Sequence, residues 1–325
     1  MRKKILITGG AGYIGSHVVE NLLKSDYEII VIDSFLFDKH SLKEHQDNKK
    51  LTIIKEDIRN LQKIENIFSN VDTVIHLAAL VGEAACKQDL VITMLQNHEQ
   101  VNQCCMQPGG VFDSIESMSG IYLDCSTVSI TASRELHAQA KKRNILMLDA
   151  PVSGGVAAAK AGQLTFMVGG DEAVYTQVQS ILLQMGKAAI YAGGPGNGTA
   201  AKICNNMILG ISMIAVSESF NLANALGLSE QTLFDICSKA SGQCWSLTSY
   251  CPAPGVLDNV PSSNNYKPGF AAAMMLKDLN LAQEASEKMS VSSVLGRQAK
   301  ELYEKFVGMG NADKDFSAII KMLSD

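Results

Sequence analysis

The sequence has no CxxC pair and no grouping of cysteine with histidine at zinc-ligand spacing, so its eight cysteines are expected to be reduced thiols. Nor does it have a cationic excess. Lys and Arg number 28 against 33 Asp and Glu, a net charge of −5 that offers no basic surface to nucleic acid or an anionic membrane. Long apolar runs are missing too: the longest, residues 207–216, is broken by Gly210 and Ser212 and falls short of the roughly 20 residues that span a bilayer, which predicts a buried helix. The N-terminal MRKKILITGG has no signal-peptide core, cleavage site or amphipathic presequence, and a cytoplasmic location is the expectation. His17, His40, His45, His76, His98 and His137 are scattered without metal spacing and are assigned no chemistry. What remains is a globular composition, 46% hydrophobic and 19% charged, in 325 residues, which at about 150 residues per domain predicts two domains. The expected partner is a small molecule.

Short β-branched runs at residues 4–8, 28–33, 51–56, 73–78, 90–95, 121–126 and 145–149 alternate with amphipathic stretches. That alternation predicts βαβ units and a doubly wound, Rossmann-type parallel sheet, each strand apolar on both faces. Two further strands are expected at 164–168 and 188–191. After the glycine-rich GGPGNG at 193–198 the strand signal stops, and residues 199–226 read as one long helix ended by Gly227. The predicted division is therefore a dinucleotide-binding domain over 1–192 and an all-helical domain over 193–325. Residues 251–266 are rich in loop formers and are expected to be irregular.

The first strand runs into TGGAGYIGSH, in which Gly9, Gly10, Gly12 and Gly15 form overlapping GxxGxxG and GxGxxG patterns between a strand and a helix. Glycines permit the tight turn and a close backbone approach, and the helix N-terminus attracts a pyrophosphate. Asp33 closes the second strand about 20 residues on, where a carboxylate accepts from a ribose 2′-hydroxyl and repels a 2′-phosphate, so NAD is expected rather than NADP. TGGAGYIGSH, IIVIDS, IIKEDIR and VIHLAALVGEAACKQD together resemble the start of an extended short-chain dehydrogenase/reductase of the sugar-nucleotide epimerase kind. The resemblance implies that Tyr13 and Ile14 belong to the cofactor loop and that Asp57 and Ile58 flank the adenine. That family's chemistry requires a Tyr-xxx-Lys pair, and no tyrosine here has a lysine four residues on.

From residue 90 the sequence is similar to the 3-hydroxyisobutyrate dehydrogenases of the β-hydroxyacid dehydrogenase family. VITML, YLDCSTVS, DAPVSGGVAAAKAGQLTFMVGG, GNGTAAKICNN, SGQCWS, PGVLDNVPSSNNY and AMMLKDLNLA occur in that family's order. Alcohol oxidation needs a base for the hydroxyl proton, an anchor for the substrate carboxylate and a nicotinamide held face-on. Lys202 and Asn206, one turn apart near the start of the long helix, can converge on one ligand. Partial burial and the positive helix end would both lower the lysine pKa. A solvated helix face is the alternative reading of that pair, and an ordinary turn is the alternative reading of Ser153, Gly154 and Gly155. The resemblance implies that Lys202 transfers the proton, Asn206 orients hydroxyl and base, and Ser153, Gly154 and Gly155 cradle the carboxylate. It further implies that Ser126 and Thr127 lie near the nicotinamide ribose, that Lys277 closes over the cofactor, and that Trp245 and Phe270 line the substrate pocket. It predicts oxidation of 3-hydroxyisobutyrate, or a similar short 3-hydroxy acid, to methylmalonate semialdehyde in valine breakdown, by a homodimer or homotetramer. Animal members work in the mitochondrial matrix.

VDTVIHLAA and DLVITML both read as the fourth strand of their respective families, with only residues 80–89 between them. The change of family implies a chimera, 1–89 epimerase-like and 90–192 hydroxyisobutyrate-dehydrogenase-like. If both strands entered the sheet, one half would shift by about 4.8 Å against the other. The readings left open are an active NAD-dependent 3-hydroxy acid dehydrogenase, a folded NAD-binding chimera with little turnover, and, less favoured, a sugar-nucleotide epimerase.

Overall fold

The computed structural model describes residues 2–35, 41–58, 60–77, 90–108, 110–115 and 120–324, with the side chains of residues 13, 14, 61, 62 and 114 outside the description. His40, Cys86 and the 80–89 junction thus lie outside the described residues. The chain divides into two units, Met1–Lys202 and Ile203–Asp325.

The first unit follows the expected alternation: β1 (Lys4–Thr8), α1 (Tyr13–Leu23), β2 (Glu28–Asp33), β3 (Leu51–Lys55), α2 (Leu61–Phe68), β4 (Thr73–His76), β5 (Leu90–Thr93), α3 (His98–Met106), α4 (Val111–Ser114), β6 (Ile121–Asp124), α5 (Ile130–Lys142), β7 (Leu146–Asp149), β8 (Val152–Ser153), α6 (Gly155–Lys160), β9 (Leu164–Gly170), α7 (Glu172–Met185) and β10 (Gly186–Gly193). The sheet order is β3-β2-β1-β4-β5-β6-β7-β9-β10, with β8 against β9. Winding outward in both directions from β1 is the doubly wound pattern. Two features depart from expectation. The pairing β7–β9 is antiparallel, as is β8–β9, because β8 continues in the direction of β7 and the chain reverses after it, through α6, before β9. And both fourth-strand candidates are in the sheet, β4 pairing with β1 on one side and β5 on the other, all parallel.

Alternation along each strand sends side chains to opposite faces. Ile5, Ile7, Ile75, Leu90, Ile92, Ile121, Leu123 and Leu148 pack on one face. Leu6, Val74, Val91, Tyr122 and Met147 pack on the other. On that second face the next register row holds Thr8, His76, Thr93, Asp124 and Asp149, paired strand by strand across β1, β4, β5, β6 and β7. All five are buried. The row survives burial because its members bond to each other or to nearby groups: Thr8 with His76 Nδ1, Thr93 Oγ1 to Asp124 Oδ1 at 3.0 Å, and His137 Nε2 with Asp149 Oδ1 at 2.9 Å. It marks the carboxyl ends of the strands, where open α/β sheets bind ligands.

The second unit carries α8 (Asn197–Ala225) beyond Lys202, then α9 (Glu230–Cys237), α10 (Trp245–Thr248), α11 (Ala272–Lys288), α12 (Val294–Phe306) and α13 (Ile320–Leu323). Gly227, at φ 78°, ends α8 as expected, with Leu228 N–H returning to the Ala223 carbonyl at 2.9 Å. The apolar character of α8 is not confined to residues 207–216. Over its 29 residues the helix is long and apolar enough, by length and composition, to cross a membrane, with a mean hydropathy of 1.4 in its most apolar window. Small polar residues interrupt the run in sequence without interrupting the helix. Met213, Ile214, Val216 and Phe220 belong to this unit's core, with Met275, Leu279, Tyr303, Phe306 and Phe316.

Burial raises the Asp124 carboxyl to about 6; hydrogen bonds from Ser126 and Thr93 oppose the shift and the Asp149 charge adds to it. A carboxyl whose folded pKa is raised favours the fold when protonated, so this contribution is present below about pH 4 and is lost as pH rises through about 6. Asp124→Asn keeps an oxygen for both donors and removes the charge. Its stability gain over wild type is expected to grow across that window to on the order of 1–3 kcal/mol. Thermal unfolding at several pH values checks this; a pH-independent difference contradicts it.

Candidate functional site

Each part of the glycine loop has a steric reason. Gly9 sits at φ 71°, and a Cβ on Gly15 would lie 2.2 Å from the Gly9 carbonyl oxygen. A Cβ on Gly10 would meet Val31 at 2.8 Å, and one on Gly12 would meet the Gly9 carbonyl oxygen at 3.1 Å. α1 begins at Tyr13 and Ile14, whose side chains lie outside the described residues. Asp33 at the end of β2 accepts from Ala11 N–H at 2.9 Å and from Phe35 N–H at 2.7 Å. The carboxylate thus ties the loop to β2 and keeps lone pairs for a ribose hydroxyl. This cradle, with an acidic group at its rim, fits a dinucleotide. Asp57 follows β3, and Ile58 beside it is buried among Leu6, Ile32, Ile64 and Phe68, so its side chain serves the core. His76, left without a role on sequence grounds, pairs with Thr8 one residue before the loop; burial lowers its pKa to about 4 and keeps the imidazole neutral.

Across the sheet, Ser126 Oγ accepts from Leu95 N–H at 2.8 Å and its own N–H donates to Asp124 at 3.0 Å, which ties the turns after β5 and β6 together. Thr127 follows it, half-buried. Ser153 ends β8, paired with Thr165 on β9. Gly154 at φ 129° and Gly155 at φ 62° then occupy backbone that favours glycine, and a Cβ on Gly154 would fall 2.4 Å from that of Ala158.

The start of α8 is held by a residue that spacing did not reveal. Asp149, at the end of β7, accepts from Gly196 N–H at 2.9 Å, Thr199 N–H at 2.7 Å and His137 Nε2 at 2.9 Å. Burial pushes its carboxyl pKa upward, but the bonds from His137, Thr199 and Gly196 outweigh that and hold it below the usual value. Its charge offsets the positive helix end that the sequence had placed beside Lys202. Lys202 is buried, contrary to a solvated helix face, and so is Asn206 one turn on. Asn206 is held by protein partners: its Nδ2 donates to Asp278, and its Oδ1 accepts from Asn205 Nδ2 at 2.9 Å.

In the second unit, Lys277 is half-buried; burial lowers its pKa, partly opposed by Asp278. Trp245 is 48% exposed and stacks on Tyr250 at 4.9 Å; Tyr250 stacks on Phe316 at 5.4 Å, and Phe316 meets Phe270 edge-on at 5.7 Å. This aromatic chain is organised by Asp315, whose Oδ2 accepts from Tyr250 Oη at 2.9 Å, Gly269 N–H at 2.9 Å and Phe270 N–H at 3.0 Å. Sequence spacing does not reveal this role of Asp315, because the partners of its Oδ2 lie 45–65 residues away; its Oδ1 makes only the local cap, accepting from Ser317 N–H at 3.0 Å.

Residues 7–194 match the NAD binding domain of 6-phosphogluconate dehydrogenase, and residues 196–323 match the NAD-binding family of NADP-dependent 3-hydroxyisobutyrate dehydrogenase. The chain is 44% identical over 241 residues to a probable 3-hydroxyisobutyrate dehydrogenase of Mycobacterium tuberculosis, covering 74% of this chain and 80% of the relative. To human mitochondrial 3-hydroxyisobutyrate dehydrogenase it is 37% identical over 316 residues, covering 97% and 85%. A solved Mycobacterium tuberculosis 3-hydroxyisobutyrate dehydrogenase with L-serine is similar over all of both chains, with a TM-score of 0.80 and 35% identity. One family model crosses residue 90 without a break, so these likenesses extend over the whole chain and give no support to an epimerase origin for residues 1–89. That part of the resemblance rested on TGGAGYIGSH, IIVIDS, IIKEDIR and VIHLAALVGEAACKQD, of which the glycine loop and its following Asp are common to dinucleotide-binding folds. A dinucleotide cradle, a buried Lys–Asn pair at the start of α8 and these relatives agree: the chain is an NAD-dependent oxidoreductase and belongs to the 3-hydroxyisobutyrate dehydrogenase family.

Proposed function

We propose that the protein oxidises 3-hydroxyisobutyrate, or a similar short 3-hydroxy acid, to methylmalonate semialdehyde. The observation that carries this reading is the buried Lys202 and Asn206, one turn apart on a helix whose start is fixed by Asp149. Lys202 takes the hydroxyl proton. Asn206, held through Asp278, orients hydroxyl and base. Ser153, Gly154 and Gly155 receive the substrate carboxylate through the serine hydroxyl and backbone N–H groups. NAD, bound by the Gly9–Gly15 loop and Asp33, supplies the hydride acceptor when present. Asp57 and Ile58 border the adenine, with Ile58 contributing backbone. Ser126 and Thr127 position the ribose, and Lys277 is the further cofactor residue that the family resemblance assigns. Trp245 and Phe270 shape the apolar side of the substrate. The protein assembles as a homodimer or homotetramer through its helical unit, where Leu222, Leu226, Val294 and Leu295 are exposed. It works in the cytoplasm or, by likeness to the mitochondrial relatives, in the matrix.

The pairing of β4 between β1 and β5 favours a second reading. An added strand increases the separation between the glycine loop and the Ser126 turn by about 4.8 Å, and a misplacement of even 1 Å can cost on the order of a hundredfold in rate. On that reading the chain binds NAD and turns over little.

Lys202→Ala is expected to lower kcat by about a thousandfold or more while NAD affinity stays within about twofold. Steady-state kinetics with a cofactor titration checks this, and substantial residual turnover would mean another group is the base. Asp33→Asn is expected to lower the preference for NAD over NADP by about tenfold, the loss of one charge-assisted hydrogen bond together with repulsion of the 2′-phosphate. An unchanged ratio of the two dissociation constants would remove Asp33 from cofactor choice.

A further inference from the structure

α8 begins in the glycine-rich GGPGNG, and its first residue, Asn197, donates from Nδ2 backward to the Ala192 carbonyl at 3.1 Å. The cap comes from the sheet. Asp149 reaches across 47 and 50 residues of sequence to the N–H groups of Gly196 and Thr199, one donor to each of its oxygens. A Cβ on Gly198 would lie 2.2 Å from the Met167 carbonyl oxygen and 2.5 Å from that of Asp149, so the helix start is seated directly on the ends of β9 and β7. α5 grips the same turn twice: His137 bonds the Asp149 carboxylate, and Arg134 Nε donates to the Pro195 carbonyl at 3.3 Å. The remaining charged neighbour in the row is Asp124, register partner of Asp149 on β6. All of these groups lie within the first unit.

We propose that Asp149, braced by His137, is the positioning residue of the reaction: its two bonds to α8 fix the axial and rotational position of the helix start, and thereby where Lys202, three residues beyond Thr199, is presented. A two-point attachment restrains rotation about the helix axis, which a single capping bond does not. Rotation matters more than stability here, since a lysine displaced around a helix loses its approach to the hydroxyl while the helix remains intact. The inference rests on the reading of Lys202 as the base.

The test uses the full-length protein carrying Asp149→Asn, His137→Asn or Lys202→Ala. In Asp149→Asn the amides of residues 196–203 are expected to exchange hydrogen at least about tenfold faster, while those of β1 and α12 keep their protection. Turnover is expected to fall about 10–100-fold with NAD affinity unchanged. The deuterium isotope effect on kcat/KM, with substrate deuterated at the carbinol carbon, is expected to rise as hydride transfer becomes limiting. Simple loss of folded protein would leave that isotope effect at its wild-type value. His137→Asn shifts each readout in the same direction by less, and it carries the test if Asp149→Asn does not fold. Unchanged exchange at residues 196–203, or lost turnover with an unchanged isotope effect, overturns the proposal. If Lys202→Ala retains turnover, the base reading falls and this proposal with it. If Lys202→Ala is inactive and Asp149→Asn is normal, this proposal alone falls.

Discussion

A sheet covered by helices on both faces can carry polar side chains only where its strands end, and the in-register row Thr8–His76–Thr93–Asp124–Asp149 is where this sheet carries them. Three of its five members precede segments to which the proposed function assigns a binding role. Thr8 leads into the glycine loop, Asp124 into Ser126 and Thr127, and Asp149 into the Ser153 turn, besides reaching the start of α8. Parallel register makes these ends coincide at one edge, so loops far apart in sequence share one rim. A one-residue slip in any strand would send its polar member to the opposite face, into the cluster of Ile7, Ile75 and Leu123.

The two carboxylates of the row show how environment divides chemically identical groups. Asp149 has three donors and stays ionised against its burial. Asp124 is fully enclosed with weaker compensation and the Asp149 charge beside it, and it titrates near pH 6. The charge remains where a helix must be held, and the neighbouring turn carries a carboxyl sensitive to mildly acidic conditions.

The features legible in the sequence were those with local causes. The glycine loop shows as a pattern within seven residues, the end of α8 as one glycine, and the Lys202–Asn206 pair as helix periodicity. Strand positions were readable from apolar runs, but their directions were not: the reversal before β9 is made by the short segment that holds α6, and nothing in its composition says which way the next strand will run. Nor could spacing expose the bonds that Asp149, His137, Asp278 and Asp315 make to groups 12 to 72 residues away. The competition between VDTVIHLAA and DLVITML for one place was recognised but could not be decided, because both are good strands; the sheet takes both.

That outcome sets the central question, since the account has the cofactor cradle and the Lys202 helix working together across a sheet with a strand between β1 and β5. The most direct measurement is NADH formation, followed by absorbance, by the wild-type protein with NAD and 3-hydroxyisobutyrate, beside thermal unfolding with increasing NAD. The account predicts steady turnover that saturates in both substrates, together with NAD-dependent stabilisation. Stabilisation by NAD without turnover would contradict it and would mean that the inserted strand keeps cofactor and base apart.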